Sequence, residues 1–307
     1  MILESSKAKT PRPQRPHSLI ASPEDLTNAL RMKLFVTIFA AYALVISAKE
    51  PTKEPRAATD FIRVDRSEEN VLLQPALATY EKNGVKVSLI GAVHIADKAY
   101  FNDLNKRFKS YDRVLFEMIG GDQLEKLRKQ EAEGKKAEES PLGQVYKMVS
   151  GFLALADQKT EIDYTAENFV HADLTMEEYQ TLQEERGESL LGFAMEAAKN
   201  TDMKTQPSTM ALMQAVMVGD SKKAKLLLVD ALAGGDEAMG GLVAPTVVIS
   251  DRNEKALKVL DAQIAKGDKN LGIFYGAAHF PAMEKTLLEK GYRKTKQEWL
   301  TAWTVEK

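Results

Sequence analysis

Two segments far apart in this chain read almost alike, and each ends in a histidine. Val87-Ser88-Leu89-Ile90-Gly91-Ala92-Val93-His94 and Leu271-Gly272-Ile273-Phe274-Tyr275-Gly276-Ala277-Ala278-His279 are apolar, β-prone runs that stop at Gly-Ala-small-His and then turn into a helical pattern. The 307 residues contain only four histidines, so a matched pair calls for a joint explanation. A third strand-like run, Arg113 to Met118, carries Glu117 near its end. Two neutral imidazoles and a carboxylate at strand C-termini form a ligand set suited to a catalytic divalent metal, where a bound water loses its proton more easily. The expected ligands are His94, His279 and Glu117, with Glu117 alternatively the general base. The glycine three residues before each histidine permits a tight turn and close backbone approach. The bland alternative is that both histidines cap or brace their helices, as strand-end polar residues often do.

Other residues bear on the same chemistry. Arg252-Asn253 follows the short β-prone run Thr246 to Ser250. A permanently charged, fork-shaped donor there could steady an oxyanion or clamp a carboxylate, which makes Arg252 a catalytic candidate and Asn253 a substrate-binding one. A surface arginine at a helix start is the competing reading. His171-Ala172-Asp173-Leu174-Thr175 precedes Glu178 in a Thr-x-x-Glu capping box. Asp173 and Thr175 read first as cap residues, and His171 and Asp173 as candidates for support behind the site. Tyr275 alternates to the opposite face from Phe274 and is either core or a substrate contact. Met210, Met213 and Met217 have helical spacing, which predicts core packing.

The elements that must position these groups follow from periodicity and turn signals. Phe61 to Val64 and Leu77 to Tyr80 are β-prone, and Asn83-Gly84 before Val85 to Gly91 predicts a hairpin. Asp97 can cap a helix whose apolar face holds Tyr100, Phe101, Leu104 and Phe108. With Arg113 to Met118 this makes a strand-helix-strand unit. Helical patterns occupy Leu142 to Ala156, Thr175 to Glu185, Leu190 to Lys199, Thr209 to Val218 and Lys222 to Leu232, while Lys126 to Glu139 is a charged face or loop. Thr246 to Ser250 reads as a short strand, and Asp251 opens a helix to about Lys266. Pro281 suits a first helical turn, and Lys294 to Val305 suits a closing antiparallel strand. The expected fold is α/β: a mixed, largely parallel sheet with flanking helices. It has two βα-type halves, each ending a strand in Gly-x-x-His, and a helical insertion at about 123–241.

Composition narrows the function. With 42 basic and 44 acidic residues the net charge is −2, so the chain lacks the electrostatic footprint of a nucleic-acid binder. It has no cysteine, which excludes disulfides, thiolate metal sites and cysteine nucleophiles. Residues 1–31 are rich in Pro, Ser and basic groups and stand outside the expected fold. From Met32, a candidate start, Arg31-Met32-Lys33 leads into the apolar run Leu34 to Ile46 and then Ser47-Ala48, so 32–48 reads as a secretory signal. Thirteen apolar residues fall short of the roughly 20 that span a bilayer as a helix. Residues 1–48 hold six basic and three acidic groups, so removing their surplus of three from −2 leaves −5 on the exported part. Residues 49–60 form a linker, and 61–307 form the domain.

The pieces Leu89 to His94, Leu115-Phe116-Glu117, His171-Ala172-Asp173-Leu174, Ser250-Asp251-Arg252-Asn253 and Tyr275 to His279 resemble, in order, the TraB/PrgY/GumN-like family, which includes the animal TIKI proteins. That family is distantly related to erythromycin esterases and ChaN-like haem-binding folds. The resemblance covers about residues 60–307. It implies a pocket in which both histidine motifs, Glu117 and Arg252 converge, with Asp173 and Asn253 nearby. TIKI-like members are similar to metal-dependent peptidases, and PrgY-like members shut down peptide pheromones. The expectation is an exported, metal-dependent hydrolase of a peptide or small amide, using a divalent ion such as manganese, cobalt or zinc, in the secreted or periplasmic space. The rival is a non-catalytic protein that sequesters a peptide or haem, with Tyr275 or a histidine as iron ligand.

Overall fold

The computed structural model describes residues 60–124, 126, 141–187, 207–233 and 247–307. The secretory signal, the linker, nearly all of the charged stretch at 126–139 and the helix expected at 190–199 lie outside the described residues. In chain order the elements are β1 (Ile62–Arg66), β2 (Asn70–Lys82), β3 (Val85–Ala92), β4 (Ile95–Ala96), α1 (Lys98–Phe108), β5 (Arg113–Phe116), α2 (Pro141–Leu153), β6 (Ala156–Asp157) and α3 (Gln158–Glu161). Then come β7 (Phe169–His171), α4 (Met176–Arg186), α5 (Pro207–Val218), α6 (Ser221–Ala233), α7 (Arg252–Ala265), β8 (Asn270–Gly276), α8 (Phe280–Glu289), β9 (Arg293–Trp299) and β10 (Trp303–Glu306).

The fold is α/β, with a mixed, largely parallel sheet flanked by helices. Its main path runs β1-β2-β3-β8-β5-β7, and β9 and β10 also pair with β2. From β3 to β7 the neighbours are parallel. The 13-residue β2 is antiparallel to all its partners. Its first half lies against β1 and β10 and its second half against β3 and β9, so the chain's last strands close on one of its first. The β2–β3 turn is the expected hairpin: Asn83 and Gly84 both take positive φ, 50° and 78°, the pairing a tight two-residue turn needs.

The near-continuous apolar runs of β3, β5 and β8 follow from burial on both faces of the sheet. Ile90, Val114, Phe116 and Phe274 belong to one apolar cluster with the buried face of α1. Leu89, Leu115, Ile273 and Tyr275 belong to the other, with α7 and α8. Tyr100, Phe101, Leu104 and Phe108 of α1 are all buried, as their spacing predicts. Asp97 begins that helix without a side-chain cap; its carboxylate instead accepts from the Thr304 backbone N–H at 2.7 Å and ties α1 to β10. Pro281 sits in the first turn of α8.

Three expectations are corrected. Val247–Asp251 is a π-helical turn leading into α7 rather than a strand. Its β-branched residues favour a strand locally, but the turn packs against α7 and α4, with no strand partner in the described sheet. Met210 and Met217 are 48% and 57% exposed, while Leu212, Ala215 and Val216 are the buried residues of α5, so the buried face lies elsewhere on that helix. The C-terminal tail forms two antiparallel strands instead of one.

Candidate functional site

β8 enters the sheet between β3 and β5, and this placement builds the site. Gly91 and Ala92 of β3 pair with Tyr275 and Gly276 of β8, while Phe116 of β5 pairs with Phe274. The three strands therefore end level, and His94, His279 and Glu117 leave the same edge of the sheet. β7 lies beyond β5, with His171 beside Phe116, which brings Asp173 to the same edge. The first turn of α7 delivers Arg252 and Asn253.

Arg252 is the hub. Its Nη2 donates to Glu117 Oε1 at 2.6 Å and to Asp173 Oδ2 at 2.7 Å, and its Nε donates to Asp173 Oδ1 at 2.9 Å. The side chains are 8% exposed for Arg252, 10% for Glu117 and 0% for Asp173, so this is an interior ion cluster rather than a rim arginine. Asp173 Oδ1 also accepts the Leu174 N–H, and Glu117 Oε2 accepts the Gly276 N–H at 2.6 Å. A Cβ on Gly276 would lie 3.4 Å from that same Oε2, an ordinary contact distance. Gly91 serves packing, since a Cβ there would lie 2.7 Å from Pro75 Cβ. Neither glycine has a positive φ, so at Gly91 it is close approach rather than turn geometry that requires glycine.

His279 is 3% exposed. Its Nδ1 lies 2.6 Å from Asn253 Oδ1, and Asn253 Nδ2 donates to the His279 carbonyl at 3.3 Å. Because the amide nitrogen faces a carbonyl, the amide oxygen must accept, and the proton on the ring sits on Nδ1. The Nε2 lone pair then faces Glu117 Oε1 across 3.7 Å. Burial pushes the His279 pKa down to about 4, outweighing the pull of the nearby Glu117 carboxylate. Burial also opposes ionisation of Glu117, but Arg252, His279, His94 and the Gly276 N–H together hold its carboxyl well below the usual carboxylate range. Glu117 and Asp173 hold Arg252 more firmly protonated than usual against the cost of its burial.

His94 is exposed, and it lies within electrostatic reach of both Glu117 and His279. Its carbonyl accepts from the Gln158 N–H at 2.9 Å. His171 donates from Nε2 to the Met118 carbonyl at 2.7 Å and packs on Gly121, bracing the loop that follows Glu117. Thr175 forms the expected capping box with Glu178. Tyr275 is fully buried, with its hydroxyl donating to the Ala172 carbonyl at 2.5 Å and its ring edge-on to His279. Both substrate-contact candidates, Asn253 and Tyr275, thus hold the His279 segment in place. Sequence reasoning did not single out Gln158 and Tyr164, which join the site through the β4–β6 ladder and the Phe116 ring.

At neutral pH the buried cluster contains one guanidinium and two carboxylates, a net charge of −1 beside a neutral imidazole. Glu117 Oε1 accepts one hydrogen bond and retains lone-pair capacity. His279 Nε2 and Glu117 Oε1 are thus two unprotonated donors, and a shared cation at ~2.1 Å from each requires them to lie within ~4.2 Å. Their 3.7 Å separation meets that requirement. Among the described residues no three His, Asp or Glu side chains are grouped closely enough to hold a metal ion. Among the described residues, too, no helix is long and apolar enough to cross a membrane.

Compared with models of known families, with curated proteins and with solved structures, the chain finds no significant match.

Proposed function

We propose that this chain is an exported, metal-dependent hydrolase of peptide or amide bonds, of the kind its motifs resemble. The observation that carries the reading is the 3.7 Å approach of His279 Nε2 to Glu117 Oε1, between strand ends that also bear His94. A general base works best with a pKa near the operating pH. His279 near 4 and Glu117 lower still are poorly tuned for that role. They are instead unprotonated lone-pair donors at neutral pH, the state that metal ligands require. His279 also has its other ring nitrogen tied to a fixed acceptor, Asn253, an arrangement common among metal-binding histidines.

On this reading His279 and Glu117 hold the cation, with His94 as the third ligand, and the bound ion supplies Lewis acidity toward water and the scissile carbonyl. Arg252, held by two carboxylates, fixes the orientation of Glu117 and offsets its charge; stabilising the oxyanion is a lesser role. Asn253 fixes the tautomer and ring plane of His279. Export rests on the dimensions of the Leu34 to Ile46 run.

Elemental analysis and calorimetric titration with manganese, cobalt and zinc test the reading, together with assays on a mixed-sequence quenched peptide library. The expected result is one divalent ion per chain and cleavage that chelator abolishes and His279→Ala lowers by at least about 100-fold. Protein that carries no divalent ion and binds none overturns it. A Soret band on haem titration, lost in His279→Ala, would point instead to sequestration.

A further inference from the structure

Beside His94 lies a buried polar pair that the cation site leaves unused. Gln158 is 5% exposed and Tyr164 is 7% exposed. Gln158 Nε2 donates to the Tyr164 hydroxyl oxygen at 2.7 Å. Gln158 Oε1 is buried without any hydrogen-bond partner, and the Tyr164 hydroxyl, accepting from Gln158, still has its own proton to donate. Native interiors rarely leave such groups unpaired, and the exceptions ask for a reason. Both residues belong to the site's surroundings. The Gln158 N–H is bonded to the His94 carbonyl at 2.9 Å, and the Tyr164 ring lies 5.1 Å from that of Phe116, the residue before Glu117. The Tyr164 hydroxyl is also within electrostatic reach of Glu117.

We propose that Gln158 and Tyr164 are a recognition element for an amide: the Tyr164 O–H donates to the ligand's carbonyl oxygen, and Gln158 Oε1 accepts from a ligand N–H. One donor and one acceptor side by side complement an amide unit. An ester offers the carbonyl but no N–H, which leaves Gln158 Oε1 unpaired. A carboxylate would face both that oxygen and the Glu117 anion. Sites built to bond an N–H reject analogues that lack it. The α3 turn carrying Gln158 is tied to the exposed end of the site by the two-residue ladder Ile95↔Asp157 and Ala96↔Ala156 and by the Gln158 N–H bond to the His94 carbonyl, and to α1 by the Asn105 bond to the Glu161 carbonyl, so the ligand enters where this short turn shifts. The proposal rests on the hydrolase reading above and assigns its preference for amides over esters to these two residues.

The test compares N-acetyl-alanyl-alanine N-methylamide with its depsipeptide counterpart, in which an ester oxygen replaces one amide N–H. Binding of each is measured by NMR titration of the full chain, and hydrolysis by chromatography. The wild-type protein is expected to bind the amide about 10- to 100-fold more tightly than the ester. Gln158→Met is expected to bring that ratio near one, while Tyr164→Phe weakens both probes together. A purely structural Gln158 would change stability and leave the ratio alone, and an unchanged ratio in Gln158→Met overturns the proposal. Should that variant not fold, the wild-type ratio decides, and a value near one overturns it. Amide-selective binding without hydrolysis supports the recognition element and contradicts the hydrolase reading. Hydrolysis with a selectivity indifferent to Gln158 does the reverse.

Discussion

At the residue scale the account turns on charges that the interior accepts only as a set. Removing Arg252 leaves Glu117 and Asp173 buried and facing each other without a cation, so Arg252→Met should lower stability by about 3–5 kcal/mol in urea unfolding. A variant as stable as wild type would show that the cluster relaxes into solvent. His279 makes a second prediction through its pKa, which falls from an ordinary 6.5 to about 4 on folding. The unfolded chain then takes up the proton first. This contribution to stability is therefore complete above about pH 6.5 and is lost as pH falls through about 4. Glu117, held below its ordinary 4.5, adds to the loss at the acid end of that window. Urea midpoints in chelator should fall between pH 7 and pH 4.5, and His279→Gln should flatten that slope; equal slopes would contradict the assignment. His94, Glu117 and His279 were legible in the sequence because strand-end chemistry leaves a local mark, an apolar run ending in a polar residue. That Arg252 pairs with Glu117 and Asp173 was not, because they lie 135 and 79 positions away and Asp173 also looks like a cap. Gln158 and Tyr164 sit in a polar stretch with no local signature at all.

At the scale of elements, the histidine strands are held by close backbone packing as much as by hydrogen bonds. Gly91 of β3 lies under Pro75 of β2, and an added Cβ would come within 2.7 Å of a proline ring that cannot turn aside. Gly91→Ala should therefore cost about 1–3 kcal/mol by thermal or urea unfolding. A neutral effect would mean that β2 and β3 separate more easily than their register suggests. Helix α1 was readable because its apolar face recurs with helical period, and the β2–β3 hairpin because Asn-Gly demands positive φ. Val247 to Ser250 misled because β-branched residues signal a strand only where a partner strand is available. The methionines of α5 misled because spacing places residues on one face without saying which face is buried.

At the scale of the whole molecule, the order of the sheet explains why residues from positions 94, 117, 173, 252 and 279 reach one edge of the sheet. β8 arrives late in the chain yet sits between β3 and β5, so the second histidine lands beside the first and next to Glu117. Periodicity predicted both βα units; it could not predict that one strand would be inserted between two earlier ones, since that depends on long-range pairing. The most direct measurement of the central claim is a crystal structure of the protein soaked in manganese or zinc, with diffraction collected at that metal's absorption edge. The account predicts an anomalous peak about 2.0–2.2 Å from His279 Nε2 and Glu117 Oε1, with the His94 ring turned in as the third ligand. Maps without a peak there, or a metal held by residues away from the ends of β3, β5 and β8, would contradict it.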